Sequence, residues 1–282
     1  MPQPEQGAQA LSSLPAVVDY GSVSKPEPHS ELPLKTREQR SPSFVVVREA
    51  TSGPSYARMT HLPHAEAQQP LQRLEFFLNI VNQMCIGFIT IYISYLTLRT
   101  GLAGTGLHAW LVTIGFSFFM AQGIMVHYSN NVLTSSYKRH TKTTIHWVTM
   151  VLGGGCGAAG ALIKMIQKGF LLQSTHGRLG LAAFVLCLVT MCSGLAALFS
   201  MRIKKLLAPL LNKAFHNFLG IAVFVVALVT QFYGYETKYF KTRTQNDFQV
   251  LIKCLTLTSL VLTVIGPLKS LYHRLQSIAR QF

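Results

Sequence analysis

The chain has 282 residues, of which 49% are hydrophobic and only 12% charged, with 25 Lys and Arg against ten Asp and Glu. Such a composition excludes a pair of ordinary soluble domains. A strong positive balance is often the mark of a nucleic-acid binder, but here the basic residues fall in short stretches between apolar runs, so membrane topology accounts for them and no nucleic-acid partner is expected.

Residues 1–72 are rich in Pro, Ser, Gln and Glu and carry no sustained apolar period, which predicts a disordered tail. No basic stretch followed by an apolar run opens the chain, so a cleaved signal peptide is not expected. The run Phe44-Val45-Val46-Val47 is too short to span a bilayer.

The remaining chain, 73–275, reads as one transmembrane domain, followed by a short tail at 276–282. Six apolar spans are predicted at about 76–98, 108–127, 145–165, 176–199, 214–234 and 250–268. Each approaches the roughly 20 residues that cross the hydrocarbon core. The expected fold class is therefore all-α: a polytopic membrane protein with six transmembrane helices, joined by short loops into antiparallel neighbours.

Orientation follows from loop charge. One side collects Lys138, Arg139, Lys142, Arg202, Lys204, Lys205, Lys213, Lys269, Arg274 and Arg280; the other has Arg99, Lys164, Lys168, Arg178, Lys238, Lys241 and Arg243. Ten against seven favours cytoplasmic termini. The spans suit endomembranes (vesicle, endosome or endoplasmic reticulum) and the plasma membrane alike.

Carboxylates are almost missing from this domain. After Glu75 none appears until Glu236, and Asp247 is the only later one. Between 76 and 235 there is accordingly no paired-carboxylate hydrolase, no zincin helix and no Asp-His-Ser triad, and no catalytic acid or base is expected. The five cysteines, Cys85, Cys156, Cys187, Cys192 and Cys254, all fall in apolar spans and read as small core residues, not a disulfide framework.

What remains is histidine. His108, His146, His176 and His216 each open one of four successive spans. Consecutive spans alternate direction, so His108 and His176 share one face of the bilayer, and His146 and His216 the other. Ionisable side chains inside a membrane are expensive and mark function. Taken singly, each histidine is more simply an interfacial side chain; the joint pattern is harder to dismiss.

Small residues follow on the histidine faces. They are Gly180, Ala183 and Cys187 after His176; Gly220, Val223 and Ala227 after His216; Gly153, Gly157 and Gly160 after His146; and Val112 and Gly115 after His108. Close helix packing would use the same residues, but on four histidine faces they favour room for a flat ligand. Two imidazoles without thiolate or carboxylate are poor for structural zinc. They suffice as axial ligands of a haem, whose macrocycle supplies the other four nitrogens. The reading is a four-helix di-haem core, with iron held by His108 and His176 at one face and by His146 and His216 at the other. Six-coordinate iron has no open position, which points to one-electron transfer across the bilayer.

These residues resemble the cytochrome b561 family, in its six-span form without an added extracellular domain. The likeness covers about 75–275. It rests on His108 with Trp110, His146-Trp147 behind a basic loop, Thr175-His176-Gly177 with Gly180, and Lys213-Ala214-Phe215-His216 with Gly220. Ala109 departs from the proline that often follows the first histidine. The resemblance implies two haem b groups, ascorbate as cytoplasmic donor, and ferric iron or monodehydroascorbate as acceptor on the far side. It also suggests a homodimer. Ascorbate is an anion at neutral pH, so Lys138, Arg139, Lys142 and Lys213 are candidates to steer it and to pair with haem propionates. Topology alone would place the same charges. Arg178 is the corresponding candidate on the far side. His140 is a candidate to assist proton release, and His127 reads as ordinary. The competing reading is a haem-free multi-pass transporter or redox scaffold using intramembrane histidines; no convincing internal repeat supports it.

Overall fold

The computed structural model describes residues 64–170, 173–205 and 208–281, and the regular structure among them is entirely helical. Most of the expected 1–72 tail, with Phe44–Val47, lies outside the described residues. The helices are α1 (His64–Thr100), α2 (Thr105–Met125), α3 (Arg139–Gln167), α4 (Thr175–Leu198), α5 (Pro209–Gly234), the short α6 (Lys238–Lys241) and α7 (Asn246–Ala279). All but α6 are long and apolar enough to cross a membrane.

Both outer helices are longer than the hydropathy pattern predicts. α1 begins at His64, inside the stretch expected to be tail, and α7 continues through the basic segment after Pro267 to Ala279. Hydropathy marks only the lipid-immersed part of a helix. The 34 residues of α7 make about 50 Å of helix against a hydrocarbon core of about 30 Å, so its end stands clear of the apolar layer.

Local chemistry sets the helix starts. The Ser174 hydroxyl accepts from the Gly177 amide at 3.1 Å and caps α4 two residues before His176. Pro209, with its fixed φ and no N–H to satisfy, opens α5. α2 contains a wide π-turn segment over Thr113–Met120, flanked by α-helical Thr105–Val112 and Ala121–Met125. Segments of this kind recur at functional sites.

α2 to α5 form a closed ring, with α1 and α7 packed outside it. The α2–α3 contact is a backbone approach. A Cβ on Gly115 would stand 2.5 Å from the Gly157 amide and 2.6 Å from the Gly153 carbonyl, and one on Gly157 would stand 2.5 Å from the Phe116 ring. Gly153, Gly157 and Gly160 thus serve close packing. They face α2 and do not line the cavity beside His146, contrary to expectation. Inside the ring, Phe116, Met120, Ala183, Cys187, Val223 and Ala227 make one apolar core. Large apolar side chains such as Ile91, Leu98, Val185, Leu195 and Val261 face outward, as lipid contact requires. Of the cysteines, all free, Cys85 and Cys187 are buried while Cys192 and Cys254 face outward, so only part of that set belongs to the core.

A chain of buried polar groups links α2, α5 and α7. Ser117 of α2 donates to Gln231 at 2.6 Å, Gln231 donates to the Tyr235 hydroxyl at 2.7 Å, and that hydroxyl meets Thr256 of α7 at 3.1 Å. At the opposite end, Pro267 lacks the N–H that would bond the Thr263 carbonyl. The Tyr128 hydroxyl donates into that carbonyl and accepts from the Gly266 amide at 2.9 Å. Asn217, next to His216, donates to the Pro267 carbonyl at 3.1 Å. The interrupted turn of α7 is thereby fastened to the ring on two sides.

Candidate functional site

The four histidines meet in two pairs. The rings of His108 and His176 stand 6.0 Å apart between centroids, and those of His146 and His216 6.2 Å apart, each pair close to perpendicular. Along α2, His108 and Gly123 are separated by about 20 Å of helix. Gly160 abuts the first of these and His146 the second, so the pairs occupy opposite ends of the ring.

Each Nδ1 is already engaged. His108 reaches the Gly160 carbonyl at 2.8 Å, His146 the Gly123 carbonyl at 2.8 Å, and His176 the Thr230 carbonyl at 2.9 Å. His216 reaches the Ser193 hydroxyl at 3.1 Å. A carbonyl can only accept, so for the first three Nδ1 carries the proton and Nε2 keeps its lone pair. This is the arrangement of metal-ligating histidine, whose other nitrogen is held by an outer partner. The wiring also repeats. In both the α2–α3 and the α4–α5 hairpin, the histidine at the start of each helix bonds near the end of its neighbour. Sequence comparison of the hairpins shows no convincing repeat, because most partners are main-chain atoms.

The donor set fits a haem. Two metal–nitrogen bonds of about 2 Å, with about 1 Å from each nitrogen to its ring centre, fill a gap of about 6 Å. A cavity of about 960 Å³ adjoins the second pair, lined by both His146 and His216 and by Met150, Gly194 and Gly220. It is of cofactor size. Gly220 has open space where a side chain would start, as a flat ligand requires, and Gly180 has only the Thr230 methyl at 3.7 Å. Two glycines that periodicity did not mark lie against the histidine rings. A Cβ on Gly194 would lie 3.0 Å from His216 Cε1, and one on Gly234 3.2 Å from His176 Cε1.

The cationic candidates separate. Arg139 and Lys213 line the cavity. Lys138 is an exposed helix-capping residue, and Lys142 turns its ammonium to the Tyr128 carbonyl at 3.4 Å; neither lines the cavity. Arg178 is exposed at the other end, two residues from His176. His140 is exposed. His127, read as ordinary, instead packs 5.1 Å from the His146 ring and lines the cavity, because α2 ends just before it and returns the chain over its own end. Arg274 and Lys269 also line the cavity, brought there by the extension of α7. Lys253 pairs with Glu236, which also holds Lys241 at 2.6 Å.

Six apolar helices, with two half-buried histidine pairs at opposite ends of the inner ring, define a multi-pass membrane protein. Residues 107–241 match the model of the family described as eukaryotic cytochrome b561, a family that implies haem. It is similar to proteins named transmembrane reductase CYB561D2: 32% identical to that of Bos taurus and 31% to that of Homo sapiens, each over 115 residues. The alignments cover 39% of this chain, and the chain spans about half the length of these relatives. No solved structure matches it significantly.

Proposed function

We propose that the chain carries single electrons across a membrane through two b-type haems, from cytoplasmic ascorbate to ferric iron or monodehydroascorbate on the far side. With ferric iron, ascorbate gives up one electron and a proton to become monodehydroascorbate, and the acceptor becomes ferrous. The observation that carries this reading is the pair of opposed imidazoles at each end of the ring, every Nδ1 held by an outer partner.

His146 and His216 would hold the haem on the donor side, and His108 and His176 the one on the acceptor side. A haem so ligated supplies a one-electron carrier with no open coordination position. The chain's own part is to fix the imidazole tautomers, exclude water with the apolar core between the ends, and present cations where anions arrive. Both termini then lie in the cytoplasm. The reductase names of the relatives support the same direction of reasoning.

The test is an optical spectrum of the purified full chain before and after ascorbate, with haem counted per chain. Two haems and sharp reduced b-type bands on ascorbate are expected. Reduction by dithionite alone would remove ascorbate as donor. A colourless folded protein would overturn the haem reading and leave a transporter in its place.

A further inference from the structure

The mouth of the His146/His216 cavity is lined by four cations, and they are not equivalent. Lys269 of α7 is neutralised: it pairs with Glu75 of α1 at 2.6 Å, and Asn130 donates to the same carboxylate at 3.0 Å. Arg139, Lys213 and Arg274 have no carboxylate within ion-pair distance among the described residues. Arg139 and Arg274 are close enough for their charges to oppose each other. Arg274 is also half-buried, and its one hydrogen bond is from Nε to the Ser270 hydroxyl at 3.4 Å.

Loop charge for topology explains none of this. Lys204, Lys205 and Arg280 lie exposed and meet that need from water. Gathering like charges at one cavity costs free energy unless an anion sits among them. Guanidinium is the group best shaped for planar oxyanions. The position of Arg274 is also fixed. The Tyr128 and Asn217 bonds to the interrupted turn at Pro267 hold the part of α7 that carries it, about two helical turns further on.

We propose that Arg274 completes, with Arg139 and Lys213, an oxyanion-binding rim at the mouth of this cavity. Arg274 lies outside the residues that match the family model. The inference rests on reading the cavity as the donor-side haem site. The shared chemistry is an organic oxyanion, either the ascorbate monoanion or a haem propionate.

The experiment compares wild type, Arg274→Gln, Arg274→Lys and the control Arg280→Gln as purified full-length protein. It reads ascorbate KM, haem content and the midpoint potentials of both haems. If the rim holds ascorbate, Arg274→Gln raises KM about tenfold or more, as for a lost charged hydrogen bond, with haem content and potentials kept. If it holds a propionate, one haem's potential falls or that haem is lost, and KM follows. Arg274→Lys recovers part of either effect and covers the case in which Arg274→Gln folds poorly. Wild-type KM, potentials and haem content in Arg274→Gln, or an equal change in Arg280→Gln, overturn the proposal. Wild-type protein that binds haem yet ignores ascorbate would instead sink the donor reading, and the potentials alone would then judge Arg274.

Discussion

His146 Nδ1 stands 2.8 Å from the carbonyl oxygen of Gly123, at a point on α2 where no side chain fits. A Cβ on Gly123 would lie 2.6 Å from Thr149 Oγ1 and 2.9 Å from Met150 Cε. Thr149 has little freedom to yield, because its hydroxyl bonds the Ile145 and His146 carbonyls at 2.8 and 3.0 Å. Gly123→Val is therefore expected to cost about 1–3 kcal/mol, as overpacking does, and to move the carbonyl away from the imidazole. Haem per chain and thermal unfolding read both effects. A variant with full haem and unchanged melting would show that this contact is not needed.

Ser193 is the one outer partner of the four imidazoles that is a side chain, so it is the one a point substitution can delete. Ser193→Ala should weaken haem retention at the His216 site by about tenfold and spare the other site. Haem transfer to an acceptor protein, followed over time, measures this. Equal loss of both haems would mean that the whole bundle had loosened.

Gly194 and Gly234 offer a matched pair. Each lies against one histidine ring, His216 and His176 respectively. Gly194→Leu should remove the haem component at the His146/His216 end, and Gly234→Leu the one at the His108/His176 end. Redox titration should show a single remaining transition in each variant, with different midpoints. The same surviving midpoint in both would contradict the assignment of the pairs to separate sites.

Helix number, helix order and the pairing of the histidines were legible because each rests on a strong local signal. Uninterrupted apolarity gives the spans, and antiparallel alternation gives which histidine meets which. The roles of individual glycines were not legible. Gly153 and Gly220 look alike in sequence, yet the first packs against α2 while the second leaves open space, and only helix rotation tells them apart. His127 and Arg274 were missed for a related reason. One lies where the chain turns back after α2, and the other on a helical extension too polar for hydropathy to mark.

The Ser117–Gln231–Tyr235 chain crosses the core without charge. Gln231→Leu would leave the Ser117 hydroxyl without this bond in an apolar setting, at about 1–3 kcal/mol, while the Tyr235 hydroxyl keeps Thr256. Adding Ser117→Ala should recover part of that loss. A detergent melting series on the single and double variants decides it; strictly additive losses would argue against coupling.

Glu236 supplies the pH dependence. Its hydrogen bonds from Lys241 and then Lys253 hold the carboxyl down at about 2, below the ordinary 4.5. A depressed carboxyl adds stability that is complete above the ordinary value and is lost as pH falls from 4.5 toward 2. Protection of the amides in residues 236–245, measured against their intrinsic exchange rates, should fall over that window, and Glu236→Gln should show the lower protection at every pH. A wild-type profile flat down to pH 2 would refute the pairing.

The π-turn segment at Thr113–Met120 lies between His108 and Gly123, and so between a histidine of one pair and the carbonyl that holds a histidine of the other. One residue is worth about 100° of rotation in an α-helix. The wide turns of this segment therefore set the phase between the two ends of α2. Deleting one residue there would keep both histidines and every partner type, yet swing the Gly123 carbonyl away from His146. The two histidine pairs are vulnerable to counting errors more than to chemical ones.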